Sequence, residues 1–199
     1  MSAIRLAESR LPTTFGEFTM ITYESGKRDM PHIVLHNLTE KRDVTDIRIH
    51  SECMTGDVFG SLRCDCGEQL HHSMEHIAKH GGVLIYLRQE GRGIGLVNKL
   101  KAYNLQDEGM DTVMANVVLG FHPDERSYDE AVAILNDLGI SSVRVLTNNP
   151  EKLDALTQAG IEVAGRLGIE VKAGSENAGY LHTKKVSFGH LLGLDPKSE

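Results

Sequence analysis

Three short runs near the start of the chain, FGEFTMITY, HIVLHNL and VTDIRIH, partly alternate apolar with polar residues. They are rich in β-branched and aromatic side chains and predict strands of an antiparallel or mixed sheet. YESGKRDMP, between the first two, is a polar turn. The period then changes. Leu70, Met74 and Ile77 share a helical face, Gly81 and Gly82 stop that helix, and VLIYL follows as a buried strand. A glycine-rich turn, RQEGRGIG, leads into a helix on which Leu96, Leu100 and Tyr103 fall near one face. In SYDEAVAILNDLG, Ser127 and Glu130 have capping-box spacing, Val132, Leu135 and Leu138 point inward, and Gly139 ends the helix. SVRVL is a further strand, and Pro150 suits the first position of the helix after it. This alternation predicts an α/β fold with α+β character: a mixed β-sheet core with surrounding helices, expected over 1–194, and a polar tail over 195–199.

With 199 residues the chain can bury a substantial core without covalent staples. Its opening MSAIRLAESRLPTTFG is charged and lacks the apolar centre of a signal peptide, and no stretch approaches the roughly 20 apolar residues that cross a bilayer. A cytoplasmic protein with no membrane partner is expected. A formal charge of −7 argues against a general nucleic-acid surface, although a local cationic pocket can still attract phosphate.

All three cysteines lie in CMTGDVFGSLRCDCG, as Cys53, Cys64 and Cys66. An odd set, with one residue between the last two, suits reduced thiols better than a disulfide framework. Three thiolates can hold one zinc ion tetrahedrally and leave the fourth position to water, which is the catalytic arrangement. A structural site would instead recruit a fourth ligand, from His50 or from His71, His72, His76 or His80; unliganded cysteines are the remaining alternative. His72 and His76 fit surface partners of acidic residues better than a metal motif.

Arg48, Arg63, Arg88, Arg92, Arg126 and Lys152 sit in or beside the turns around this segment, and guanidinium groups pair well with phosphate oxygens. EGRGIG has neither Walker A nor GxGxxG spacing, so it is weak as a generic phosphate loop. Its Glu90 can accept hydrogen bonds from a polar heterocycle, and its Arg92 can meet an anion.

RIHSECMTGDVFGSLRCDCG, RQEGRGIGL, YNLQDEGMDTV, LGFHPDER, LTNNPEK and YLHTKK occur in one order along approximately residues 5–194. In these motifs the chain resembles the GTP cyclohydrolase II family, whose members open riboflavin biosynthesis. The resemblance implies a single catalytic domain with zinc on Cys53, Cys64 and Cys66. It further implies a GTP pocket from Arg48, Ile49, His50, Ser51, Glu52, Gln69, Glu90, Gly91, Arg92, Thr112, Thr147 and Lys152, and catalytic roles for Tyr103, Asp124 and Arg126. It also implies magnesium on the triphosphate and a homodimer. The expected products are formate, pyrophosphate and 2,5-diamino-6-(5-phosphoribosylamino)pyrimidin-4(3H)-one. Met114 departs from the glutamate that many members carry in this segment. No long acidic domain resembling dihydroxybutanone phosphate synthase precedes the motifs, so a monofunctional chain is expected. A GTP-binding regulatory protein without turnover and a partial cyclohydrolase are the competing readings.

Overall fold

The structure is a computed structural model and describes residues 2–26, 30–169 and 189–191. YLHTKK, the terminal element and the 195–199 tail lie outside the described residues, as does the centre of the YESGKRDMP turn.

A seven-stranded sheet runs β1-β2-β3-β5-β4-β6-β7. Its strands are β1 (Arg5–Thr13), β2 (Gly16–Tyr23), β3 (His32–His36), β4 (Thr45–Ser51), β5 (Val83–Leu87), β6 (Ser142–Leu146) and β7 (Glu162–Leu167). From β1 to β5 the pairings are antiparallel; β5, β4, β6 and β7 are parallel. The mixed sheet is therefore a meander joined edge to edge to a parallel half.

Period-two alternation divides the apolar side chains between two layers. Ile21, Tyr23, Val34, Ile47, Ile49, Val83, Ile85, Leu87, Val143 and Val145 face one way. They pack with Ile134 and Leu135 of α5 (Asp129–Asp137) and Leu156 of α6 (Pro150–Gln158). Phe18, Leu35 and Leu84 face the other way and receive Leu70, Met74 and Ile77 from α2 (Cys66–His80). Burying each large aliphatic side chain stabilises the fold by about 1.5–3 kcal/mol relative to exposure.

β4 is unusual, because only its odd positions are apolar. Asp46, Arg48 and His50 point toward α2 and are 2 %, 5 % and 2 % exposed. Charges so deep must be paired. Asp46 accepts from His76 Nε2 and Arg144 Nε, both at 2.7 Å. Arg48 donates to the Leu146 carbonyl at 2.9 Å and to Gln69 Oε1 at 2.8 Å.

Several elements differ from the sequence expectation. β1 and β7 lie at the sheet edges, with little burial to impose a pattern. A seven-residue helix, α4 (Thr112–Val118), is capped by Asp111, which accepts from the backbone of Val113 and Met114. Ser127 and Glu130 form no capping box: α5 begins after Tyr128, and the Ser127 hydroxyl closes a turn with Asp129 instead. On α3 (Gly95–Asp107) the buried residues are Lys99 and Ala102, while Leu100 is 46 % exposed, because this helix faces a polar cleft. Pro150 does open α6, where Asn149 caps by accepting from Glu151 N at 3.0 Å.

Candidate active site

The C-terminal ends of parallel strands collect unsatisfied loops into one crevice. Here β4 delivers Ser51 to Cys53, β5 delivers Glu90 to Arg92, and β6 delivers Thr147 to Asn149, all lining one cleft.

Cys53 precedes a single helical turn, α1 (Met54–Asp57), and its backbone N–H donates to Asp57 Oδ2 at 3.0 Å. The same carboxylate accepts from Tyr86 at 2.8 Å and from His50 Nε2 at 3.1 Å. Burial holds the His50 imidazole below its ordinary value despite Asp57, so a neutral ring donates through Nε2. His50 is thereby a brace for the Cys53 turn.

Cys64 and Cys66 return at the start of α2, and the sulfurs of all three cysteines lie within 4.8 Å of one another. Cys53 and Cys64 sulfurs are 3.6 Å apart, far beyond the roughly 2.05 Å of a disulfide. Hydrogen bonds from Cys64 and Cys66 hold the Cys53 thiol far below its ordinary value, while the bond to Cys53 pushes Cys64 up to about 11. Such a shared-proton trio of soft donors can hold a metal ion. Among the described residues no histidine joins it: His71, His72 and His80 are exposed, His76 is on Asp46, and His50 is on Asp57.

Glycines permit the close approach. A Cβ on Gly56 would stand 2.8 Å from Cys64 Sγ, and one on Gly67 would stand 2.4 Å from the Gly56 carbonyl oxygen. Gly67→Ala is expected to part α1 from α2 and cost about 1–3 kcal/mol. An unchanged urea midpoint for this variant would contradict the packing.

Lys99 escaped the sequence reading. It is 8 % exposed, and its Nζ lies 3.1 Å from Cys53 Sγ, 2.9 Å from Thr55 Oγ1 and 2.8 Å from Glu90 Oε1. Burial alone would depress it, but Cys53 and Glu90 outweigh burial and hold its pKa above the ordinary lysine value. One turn later, burial pushes the Tyr103 phenol up to about 12, against the lowering effects of Lys99 and Thr55. Tyr103 therefore stands protonated beside the sulfurs, as a donor.

Further cations line the same cleft. Lys152 is 5 % exposed and donates to the Ile49 carbonyl at 2.7 Å. Arg126 is clamped by Asp124, whose Oδ1 accepts from the Arg126 backbone N–H at 3.0 Å and from Nε at 2.8 Å; Asp124 Oδ2 and Arg126 NH2 are also in contact. Burial raises the Asp124 carboxyl, but the bonds and charge of Arg126, with the charge of Arg92, more than offset this and keep it below the usual range. Arg92 has φ +60°, the left-handed region, beside Gly91 at +61°. This bend turns the segment back into the cleft.

Of the sequence-derived residues, Arg48, His50, Ser51, Glu52, Gln69, Glu90, Gly91, Arg92, Tyr103, Thr112, Arg126, Thr147, Lys152 and the three cysteines all line this cleft. Ile49 does not; its side chain is in the core and only its carbonyl serves Lys152. Asp124 acts through Arg126. Glu90 lines the cleft, but Oε1 accepts from Gly91 N and Lys99, and Oε2 accepts from Met54 N at 2.6 Å, so it also ties the two loops together. Arg63 and Arg88 are spoken for elsewhere: Arg63 pairs with Asp107 at 2.6 Å, and Arg88 with Glu52 at 2.6 Å. Met114 is 48 % exposed and does not line the cleft.

The family model of GTP cyclohydrolase II matches residues 4–168. GTP cyclohydrolase-2 of Baumannia cicadellinicola is 51 % identical over 195 residues, covering 96 % of this chain and 98 % of the relative. GTP cyclohydrolase-2 of Buchnera aphidicola is 46 % identical over 198 residues, covering 98 % of this chain and 100 % of the relative. The riboflavin biosynthesis protein RibBA of Bacillus cereus is 51 % identical over 196 residues, covering 96 % of this chain and 48 % of the relative. The chain thus spans about half the length of its RibBA relatives and nearly all of the shorter ones. A solved two-domain 3,4-dihydroxy-2-butanone 4-phosphate synthase, RibBX from A. baumannii, overlaps with a TM-score of 0.44 at 18 % identity, covering 86 % of this chain and 41 % of its own, too little to inform the site. With a family match over residues 4–168 and relatives about half identical along their full length, the chain belongs to the GTP cyclohydrolase II family.

Proposed function

We propose that the chain hydrolyses GTP to 2,5-diamino-6-(5-phosphoribosylamino)pyrimidin-4(3H)-one, formate and pyrophosphate, the first committed step of riboflavin biosynthesis. The observation that carries this reading is that one cleft is lined by two sets of groups: three clustered sulfurs with a protonated tyrosine, and an arginine clamped by Asp124 with a buried lysine. Two chemistries on one nucleotide need such a division.

Cys53, Cys64 and Cys66 would hold zinc, and their soft donor set and mutual approach fit that ion. When bound there, zinc would supply Lewis acidity that activates water toward C8 of the guanine ring. The protonated Tyr103 donates to the ring as its C–N bond breaks, and Gln69 and Glu90 frame the base. Arg48, Arg92 and Lys152 neutralise phosphate oxygens, with Thr112 and Thr147 as hydroxyl donors. Glu52 and Glu90, the acidic residues lining the cleft, are both in ion pairs. Magnesium would therefore arrive on the triphosphate rather than in a protein cage.

Arg126 would attack the α-phosphorus through a guanidinium nitrogen, breaking the bond to the pyrophosphate oxygen and forming a phosphorus–nitrogen bond that water later cleaves. Asp124 fixes that nitrogen and receives its proton. Its lowered pKa makes it a weak base, so orientation is the larger part of its role. A homodimer and a cytoplasmic location complete the reading; no helix among the described residues is long and apolar enough to cross a membrane.

Cys66→Ala separates the two chemistries. Formate release is expected to fall at least about 100-fold, by loss of a metal ligand, while α-phosphate cleavage persists. Formate and pyrophosphate quantified in the same reaction provide the test, with GTP binding measured alongside. Selective loss of pyrophosphate with normal formate would reverse the placement of the two halves, and GTP binding without either product in the unsubstituted protein would favour a regulatory role.

A further inference from the structure

We propose that Lys99 is a positioning residue of the sulfur cluster: its ammonium donates to Cys53, offsets surplus thiolate charge, and ties that ligand to Glu90. This rests on the metal-binding reading of the three cysteines.

An ammonium has three N–H donors, and Lys99 has three acceptors in reach: Cys53 Sγ, Thr55 Oγ1 and Glu90 Oε1. Its donors are fully used, so it has none to spend on a phosphate. Three thiolates carry one more negative charge than a divalent ion neutralises, and each donates electron density that blunts the acidity of the ion. A cation 3.1 Å from one sulfur withdraws part of that density.

The geometry also gives Lys99 a mechanical task. Glu90 Oε1 accepts from Lys99 while Oε2 accepts from Met54 N, the residue after Cys53. Lys99 and Glu90 thus hold the Cys53 turn from both its sulfur and its backbone. Gly91 makes room for this, since a Cβ there would lie 3.0 Å from Lys99 Cβ. Because Lys99 and Tyr103 are four residues apart on α3, the same helical face presents both to the cluster.

Cobalt-substituted holoenzyme gives a readout independent of turnover. In Lys99→Met the thiolate-to-cobalt charge-transfer band is expected to move to longer wavelength, because a sulfur without an ammonium donor releases charge more easily. The kcat for formate is expected to fall about 10–100-fold with KM for GTP little changed. Lys99→Arg keeps the charge and is expected to return the band toward its original position. An unmoved band in Lys99→Met, or an equal shift in Lys99→Arg, overturns the proposal. Lys99→Gln, uncharged but polar, is read in parallel in case the methionine variant does not fold. If the unsubstituted protein shows no sulfur-to-cobalt band, the metal reading of the cysteines falls and this proposal falls with it; a normal band there, unchanged across the variants, sinks the role of Lys99 alone.

Discussion

Cys64→Ser is expected to empty the metal site and to suppress formate release about 100-fold or more. Four-ligand structural zinc sites are worth about 10–16 kcal/mol, so one thiolate contributes on the order of 3 kcal/mol, roughly two decades of affinity. Serine cannot replace it, because a hydroxyl is a harder and far less acidic donor. Among the described residues no histidine stands within the cluster to compensate. The surrounding fold should persist, since Cys64 lies in the loop before α2 and outside both apolar clusters. Elemental analysis and formate assays on the same preparation check this. Normal zinc with normal turnover in the variant would overturn the assignment of the cysteines.

The second large effect belongs to Arg126. Arg126→Ala is expected to lower pyrophosphate release by about 10³–10⁵, the range over which an arginine at a transferring phosphoryl group acts. Part of the nucleotide affinity should survive through Arg92 and Lys152, which line the same cleft. Arg126→Lys discriminates between mechanisms. Lysine keeps the charge but loses the planar fork that engages both oxygens of Asp124. If the guanidinium nitrogen is the nucleophile, lysine recovers little of the rate despite measurable GTP binding. Rapid-quench trapping of a guanylylated protein, mapped to Arg126, would support the covalent step. Near-normal pyrophosphate release in Arg126→Lys would leave direct hydrolysis as the mechanism.

The sequence was most informative where burial imposes a period or where chemistry demands rare residues. β2 to β6, α2, α5 and α6 were legible because their apolar positions repeat against a core. β1 was not: it is largely exposed, so its order comes from pairing with β2 rather than from its own side chains. β7 is short, half-exposed and interrupted by Gly165, and α4 is too short to display a helical period. The same limit governed the site. Three cysteines and an Asp-Glu-Arg run announce themselves, but a lysine on a helix ordinarily reads as solvated. Only packing reveals that Lys99 is buried, with Cys53 and Glu90 at its ammonium. Arg63 and Arg88 show the converse, since phosphate-like spacing did not distinguish them from residues already held by Asp107 and Glu52.

The buried polar alternation of β4 limits how this protein can change. Asp46, Arg48 and His50 face α2 only because Ile47 and Ile49 face the other core, and Cys53 follows directly at the strand end. Gaining or losing one codon within Thr45–Ser51 would invert that order, sending two charges and an imidazole into hydrocarbon and two isoleucines into the cleft. The sulfur cluster and the phosphate pocket would be disturbed together, because Cys53 follows this strand and Arg48 belongs to it. Point substitutions can vary each half separately, but insertions and deletions cannot, so length drift is confined to places such as the exposed β1 edge.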